Sequence, residues 1–376
     1  MKCLHVIPWY FPSFIYGGPI YSSAALCKTL ATNGIDVTVI TTTANGKVEL
    51  DVEVGIPHLI EGVKVLYFKR ITKDNTHFSP GLLSYLWKHA GDYDVIHIHS
   101  LWNFVSVFSL IICALKGIVP IVSPRGMLSD YVINTNHSFQ KKILHYFLSK
   151  RTLSKVKFHA TADTELVEIR KVFPASDVIV IPNILLEIDD VKVERQEKNT
   201  DVTNIIFLSR VDPKKGIELL LKALSEIQWG YHLTIVGSGS VEYLNSLQQC
   251  ATSLGITENV TWAGPIYGHE KYELLSNSDL MALTSYNENF GNIVLEALVC
   301  GTPVLLSDKV GLSTYVEKKQ LGWICSTECS VITDTLNQFH KEIEKQKKIR
   351  EIAPQSIKTD FGADTLLKSY LNMYNN

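Results

Sequence analysis

Two runs of alternating apolar strands and helices, parted by one charged stretch, limit what this chain can fold into. Near the start, LHVIP (4–8) is a short apolar run ending at a proline. YSSAALCKTLATNG reads as a helix stopped by Gly34, and DVTVITT (36–42) alternates like a strand. Strand, helix, strand is a βαβ unit, which calls for a parallel sheet with helices on its faces. VKVLYF (63–68), VIHIH (95–99), IVPIVSPRG (118–126), VKFHATA (156–162) and VIVIPN (178–183) supply further strands. Residues 186–202, LEIDDVKVERQEKNTDV, are highly charged and poor in large apolar side chains, so they read as an exposed linker. After them the alternation restarts, with NIIFLSR, HLTIVGSG, VTWAG, DLMALTS and TPVLLSD as strands between helical segments.

The expected fold class is therefore α/β, with two Rossmann-like doubly wound domains facing a cleft. The first spans residues 1–185, the linker 186–202 and the second 203–355. At 376 residues the chain is too long for one ordinary core and suits two. Open parallel sheets place ligands at the carboxyl ends of their strands.

Composition excludes several classes. Charged residues make up 20% and the net charge is −2, which speaks against a protein coated in nucleic acid. The seven cysteines are scattered, mostly in apolar runs, and read as buried reduced thiols. Cys325 and Cys329 form the only close pair, a weak zinc signal without histidines beside it. MKCLHVIPWY is broken too early by Pro8 to read as a secretion signal, so a cytoplasmic location is expected. FVSVFSLIICALKGIVPIV (104–122) is interrupted well short of the roughly 20 apolar residues of a spanning helix. It is expected to be a buried helix followed by a strand.

Three loops carry candidate chemistry. In YNENFGNIVLEALVCGTPVLLSD (286–308), Glu288 and Glu296 stand with seven residues between them. Residues 292–300 are good helix formers, with Gly301 as a stop and Pro303 beyond it. Glu288 then lies in the loop before the helix, and Glu296 about a turn inside. Asn289, Phe290, Gly291 and Asn292 offer backbone N–H groups at a helix start, a place that favours an anion such as phosphate. Two acids at a helix start are also ordinary surface residues, and composition does not choose between the readings.

The second loop is SRVDPKKG (209–216), after one strand and before a helix. Arg210 offers a planar fork and Lys215 a point charge, a good pair for a diphosphate. On spacing alone a solvated basic turn is the better account, and no P-loop pattern occurs. The third is FPSFIYGGP (11–19), where Gly17 and Gly18 let backbone amides approach a phosphate, although a plain loop turn does as well. Gly237, in GSG (237–239), is a similar but weaker case. DYD (92–94) resembles a metal-binding DxD but sits at the amino end of its strand, so it reads as a solvated turn. His97 and His99 share one strand face with no third metal ligand in evidence. His99, nearer the carboxyl end, is the better polar contact for a substrate.

Together these segments resemble the retaining glycosyltransferases of the GT-B fold, family 4, the group headed glycosyl transferases group 1. The residues that carry the resemblance are Glu288-x7-Glu296 with NFG and GTPV, the SRVDPKKG turn, YGGP, DVIHIHS, SPRGML, HATADTE and IPN. The resemblance covers almost the whole chain. It implies that Arg210 and Lys215 bind the donor diphosphate and steady it as leaving group. The amides of Phe290 and Gly291 then cover sugar and phosphate, Glu288 holds sugar hydroxyls, and Glu296 holds the ribose. Gly17, Gly18, Gly237, Asn289 and Asn292 complete the implied donor set, and a final helix within 356–376 packs back on the first domain. Many members carry a histidine where this chain has Arg125. Arg125 and His99 are therefore expected to touch sugar or acceptor.

The expected activity is metal-independent, retaining transfer from a nucleotide sugar to a saccharide or polyprenyl-linked saccharide, in cell-surface polysaccharide biosynthesis. Arg210, Lys215 and Glu288 are the expected catalytic set. No cofactor, metal or nucleic acid is expected. A basic, partly apolar stretch at 139–159 offers peripheral contact with anionic lipid, although an ordinary surface helix explains it as well. The alternatives are a GT-B nucleotide-sugar epimerase or a non-catalytic partner subunit.

Overall fold

The structure, a computed structural model, describes residues 1–135, 156–185, 195 and 201–375. Most of the basic stretch at 139–159 and of the linker at 186–202 lies outside the described residues. The chain divides into two compact units. One holds Met1–Leu186 with Ala363–Asn376, the other Glu187–Gly362.

The first unit is built on one eight-stranded sheet. Its strands are β1 (Lys2–Val6), β2 (Asp36–Thr42), β5 (Pro57–Ile60), β6 (Val63–Phe68), β7 (Val95–His99), β8 (Ile121–Ser123), β9 (Lys157–Ala160) and β10 (Asp177–Val180). The order is β10-β9-β8-β7-β1-β2-β6-β5. All neighbours pair in parallel except β5, which runs antiparallel to β6 as an edge. A hairpin of β3 (Ala44–Asn45) and β4 (Val48–Glu49) stands apart. In β2 every residue after Asp36 is buried, as a strand covered on both faces requires. The apolar run at 104–122 divides as its composition suggested. Phe104–Leu115 is a helix capped by Asn103, whose side chain accepts from the Ser106 N–H at 2.9 Å, and β8 follows. Among the described residues no helix is long and apolar enough to cross a membrane.

The second unit holds a six-stranded, fully parallel sheet of order β13-β12-β11-β14-β15-β16. Its strands are β11 (Thr203–Leu208), β12 (Tyr231–Val236), β13 (Val260–Gly264), β14 (Leu280–Leu283), β15 (Val304–Ser307) and β16 (Gly322–Cys325). Helix Ile217–Ser225 buries Leu220, Leu221 and Leu224 completely. Each such side chain contributes about 1.5–3 kcal/mol by leaving water. Helix Ile343–Phe361 runs through Pro354 to Phe361, so the returning segment starts at Ala363 rather than at 356. Within the first unit, Tyr370 of that C-terminal helix donates to the Pro182 carbonyl at 3.0 Å.

All seven cysteines are free thiols. Burial pushes Cys3, Cys113, Cys300 and Cys325 up to about 12. Cys325 points its Sγ at the Leu306 carbonyl, 3.4 Å away.

Candidate functional site

In the second sheet the strand order reverses between β11 and β14, which pair directly through Ile205–Leu280 and Ile206–Met281. The loops leaving the carboxyl ends of these two strands are SRVDPKKG and TSYNENFGN. A switch point of this kind is where an open α/β sheet leaves a crevice for a ligand. Topology therefore brings together the two loops with the strongest candidate chemistry.

Each loop is held by its own hydrogen bonds. Asp212 caps the short helical turn Pro213–Lys215, accepting from the Lys214 N–H at 3.0 Å. Thr284 donates to the Gly216 carbonyl at 2.9 Å, and the Tyr286 N–H to the Lys214 carbonyl at 2.9 Å. These bonds tie the two loops to each other. On its far side Glu288 donates its N–H to the Lys309 carbonyl at 3.0 Å and accepts from the Gly311 N–H at 2.8 Å. Helix Asn292–Val299 then starts, with Gly291 before it at φ 91°. The Phe290 side chain is core, packed edge to face on Phe361.

The carboxylate of Glu288 is in direct contact with the ammonium of Lys215, a buried side chain. Burial pushes the Glu288 carboxyl up, but Lys215, Lys214 and Arg210 together outweigh it and hold it below its ordinary value. Burial, with Lys215 and Arg210 beside it, also lowers Lys214. Arg210 is exposed. The result is a cationic cluster around one acid. A carboxylate so engaged is a weak base and a weak nucleophile. Glu296, inside the helix, pairs with Lys271 at 2.9 Å, and Lys271 lies 4.5 Å over the Tyr272 ring.

Gly237 has a tighter role than a ligand contact. At φ 149° it packs so closely on the Arg210 loop that a Cβ would sit 1.8 Å from the Ser209 carbonyl oxygen. Its N–H donates to the Gly264 carbonyl at 2.9 Å. Gly237 therefore seats the β11 loop rather than presenting itself to a phosphate. Two partners escaped the sequence reading. Lys271 stands in a charged helical stretch that nothing distinguishes. Lys214 was overshadowed by Lys215 in the same turn. The buried Asn287 Oδ1 has no hydrogen-bond partner among the described residues.

In the first unit, Gly17 (φ 70°) and Gly18 open helix Gly18–Thr32. The Asp92–Asp94 turn is structural, since Asp94 accepts from the Lys2 N–H at 2.7 Å and Asp92 pairs with His89 at 2.9 Å. The strand order of this sheet reverses around β1, and there His97 and His99 of β7 meet a third imidazole, His5 of β1. The sequence held no sign of this third partner, because adjacency of β1 and β7 is a matter of topology.

Hydrogen bonds settle what these rings do. His159 donates Nε2–H to the Ile181 carbonyl at 2.8 Å, so its Nδ1 accepts from Ser123 at 2.7 Å. Ser123 then accepts from His97 Nε2–H at 2.7 Å, and His97 Nδ1 accepts from Tyr374 at 2.9 Å. Arginine only donates, so His99 Nδ1 accepts from Arg125 Nη2 at 3.3 Å. His99 Nε2–H donates to His5 Nδ1 at 3.0 Å, which leaves His5 Nε2–H unpartnered. All four imidazoles are buried and neutral. Burial, then Arg125, lowers His5 and His159 to about 3, and burial sends His97 and His99 well below the usual range. Both ring nitrogens of His97 are already used and a guanidinium lies against His99. The cluster is a proton-ordered network, and its chemistry does not suit a divalent cation.

Comparison with known proteins bears on these two units. Residues 16–185 match the family Glycosyltransferase Family 4. Residues 189–356 match Glycosyl transferases group 1. An uncharacterized glycosyltransferase of Methanocaldococcus jannaschii, MJ1607, is 24% identical over 98% of this chain and 97% of its own length. The D-inositol 3-phosphate glycosyltransferase of Mycobacteroides abscessus is 32% identical over 43% of this chain and 38% of its own length. Among solved structures, Anabaena HepE in complex with UDP and glucose superimposes with a TM-score of 0.73 at 17% identity, covering 100% of this chain and 99% of HepE.

Proposed function

We propose that this chain, which belongs to the glycosyltransferases of family 4 with the GT-B fold, moves a sugar from a nucleotide-diphosphate donor to a saccharide or lipid-linked saccharide. One observation carries the reading. Arg210, Lys214 and Lys215 act together on Glu288 at the switch point of the second sheet, beside the start of helix Asn292–Val299. Such a constellation suits a leaving diphosphate. Arg210, Lys215 and the amides of Phe290 and Gly291 meet the charge that develops as the bond from C1 to the phosphate oxygen breaks. Side chains supply that charge, so the reading needs no metal.

The new bond from C1 to the acceptor oxygen forms on the face the diphosphate leaves, and a phosphate oxygen takes the acceptor proton. Retention follows. Glu288, engaged by cations, fits a role as acceptor of sugar hydroxyl hydrogen bonds better than one as nucleophile. Glu296, steadied by Lys271, is placed on the ribose in the same reading. UDP is the first nucleotide to try, since HepE was solved with it. A role in cell-surface polysaccharide assembly, on the cytoplasmic side of the membrane, agrees with a lipid-linked acceptor.

A transfer assay over a panel of UDP-sugars and saccharide acceptors tests this. Lys215→Ala is expected to lower kcat by about 100-fold or more, as removal of a charge-stabilising donor does. Excess EDTA is expected to leave wild-type transfer intact. Loss of transfer in EDTA would overturn the metal-free step, and epimerised nucleotide sugar from donor alone would replace the transferase reading.

A further inference from the structure

The guanidinium of Arg125 is charged, held in place and not neutralised. It follows β8 at the carboxyl edge of the first sheet and is only part-buried. Nη1 donates to Asn183 Oδ1 at 2.5 Å and Nη2 to His99 Nδ1 at 3.3 Å. Both acceptors are neutral. Among the described residues no carboxylate pairs with Arg125, and its Nε–H is buried without a partner. Glu165 is the acid tied to this loop, and it is spent elsewhere. One oxygen accepts from the Gly126 N–H at 2.8 Å, the other from the Thr161 N–H and hydroxyl at 2.8 and 2.9 Å.

The backbone marks the same place. Arg125 sits at φ 56°, and Ser100 and Trp102, just after β7, sit at 68° and 60°. These are conformations that L side chains adopt at a cost and that gather at ligand sites. Trp102 donates its indole N–H to the Met127 carbonyl at 2.8 Å, which locks the two strained loops together. Beneath them the histidine network fixes His99 as an acceptor toward Arg125. The protein holds a cation firmly between neutral groups and leaves donors over. Two of its five N–H groups are bonded and the Nε–H is buried, so two terminal N–H groups remain for a ligand.

We propose that Arg125 is an oxyanion-binding residue of the first unit, positioned by His99 and Asn183, and that it takes the carboxylate or phosphate of an acidic acceptor sugar. This rests on the glycosyltransferase reading, in which Arg210 and Lys215 already serve the donor diphosphate. It narrows the acceptor from any saccharide to one that carries negative charge.

The test uses the full chain and three probes: glucuronate, glucose 6-phosphate and glucose. Their affinities, and that of UDP, are measured by thermal shift for wild type, Arg125→Gly, Arg125→Gln and Lys215→Ala. Arg125→Gly removes the guanidinium at a backbone angle that glycine adopts freely, and Arg125→Gln guards against an effect of the added flexibility. At least one acidic sugar is expected to bind wild type about tenfold or more above glucose, a charge-assisted contact being worth that much. Both Arg125 variants lose that preference and keep their UDP affinity, whereas Lys215→Ala keeps the preference and loses UDP. Equal binding of the acidic sugars to wild type and both Arg125 variants overturns the proposal. So does a loss of UDP in place of acidic sugar, which moves the guanidinium to the donor. If UDP binds no variant while the acidic preference follows Arg125, the donor reading fails and the oxyanion site stands.

Discussion

Glu288 keeps its charge because three cations outweigh its desolvation. Its folded-state pKa lies below the ordinary 4.5. The pair with Lys215 therefore stabilises fully above that pH, and the contribution is lost as pH falls through the lower folded value. Glu288→Gln leaves Lys215 buried without its acid and is expected to cost about 2 kcal/mol at neutral pH, less than a fully buried pair because the Glu288 side chain is partly exposed. Urea titrations across pH check this: the gap to wild type should hold at pH 6–7 and shrink below 4.5, and a gap that widens in acid contradicts the pairing. Gly237→Ala is a second residue-scale case. A Cβ placed 1.8 Å from a carbonyl oxygen forces the β11 loop to move, at about 3 kcal/mol, read as a lowered denaturation midpoint. Residue types and spacing made Arg210, Lys215, Glu288 and Glu296 visible in the sequence. The partners Lys271 and His5 were not visible, because a partner is defined by what lies opposite it in space. Gly237 was legible as a special glycine, though not as one that seats a backbone.

Strands and helices were read most easily where burial is complete. β2 and β7 start and end where their apolar patterns do, since a strand covered on both faces has no freedom in composition. Edge strand β5 and the β3–β4 hairpin were missed. Half-exposed strands need no apolar run, and Pro57 disguises the first. The stop of helix Asn292–Val299 was legible too, as Gly301, but its packing was not. Gly301 at φ 77° faces the Arg350 carbonyl of helix Ile343–Phe361, which a Cβ would approach to 3.1 Å. That carbonyl lacks its usual helical donor because Pro354, four residues on, has no N–H. Arg350 in turn donates to the Ser278 carbonyl at 2.8 Å. Gly301→Ala is expected to cost about 1–2 kcal/mol through the left-handed backbone alone. Chemical denaturation measures it, and an unchanged midpoint contradicts the left-handed backbone at Gly301.

Across the molecule, the four buried imidazoles set the response to acid. Their folded pKa values lie well below the 6.5 of an unfolded histidine. The unfolded chain therefore binds more protons below that pH, and stability falls as pH drops from 6.5 toward 3. Each imidazole removes up to about 1.4 kcal/mol per pH unit once its unfolded form is fully protonated. Thermal unfolding at pH 5 is expected well below that at pH 7.5, and equal melting temperatures contradict the neutral network. The two-sheet plan was legible because alternation and one charged stretch encode it locally. The histidine network joins residues from both ends of the chain, Tyr374 to His97 among them, and no local pattern carries it. The central claim concerns the charged cluster that Arg210, Lys215 and Glu288 form at the β11–β14 switch point. Calorimetric titration of UDP into wild type and Lys215→Ala tests it most directly. Saturable binding to wild type, weakened by about tenfold or more in Lys215→Ala, is the predicted result; equal affinity in the two proteins, or none in wild type, contradicts it.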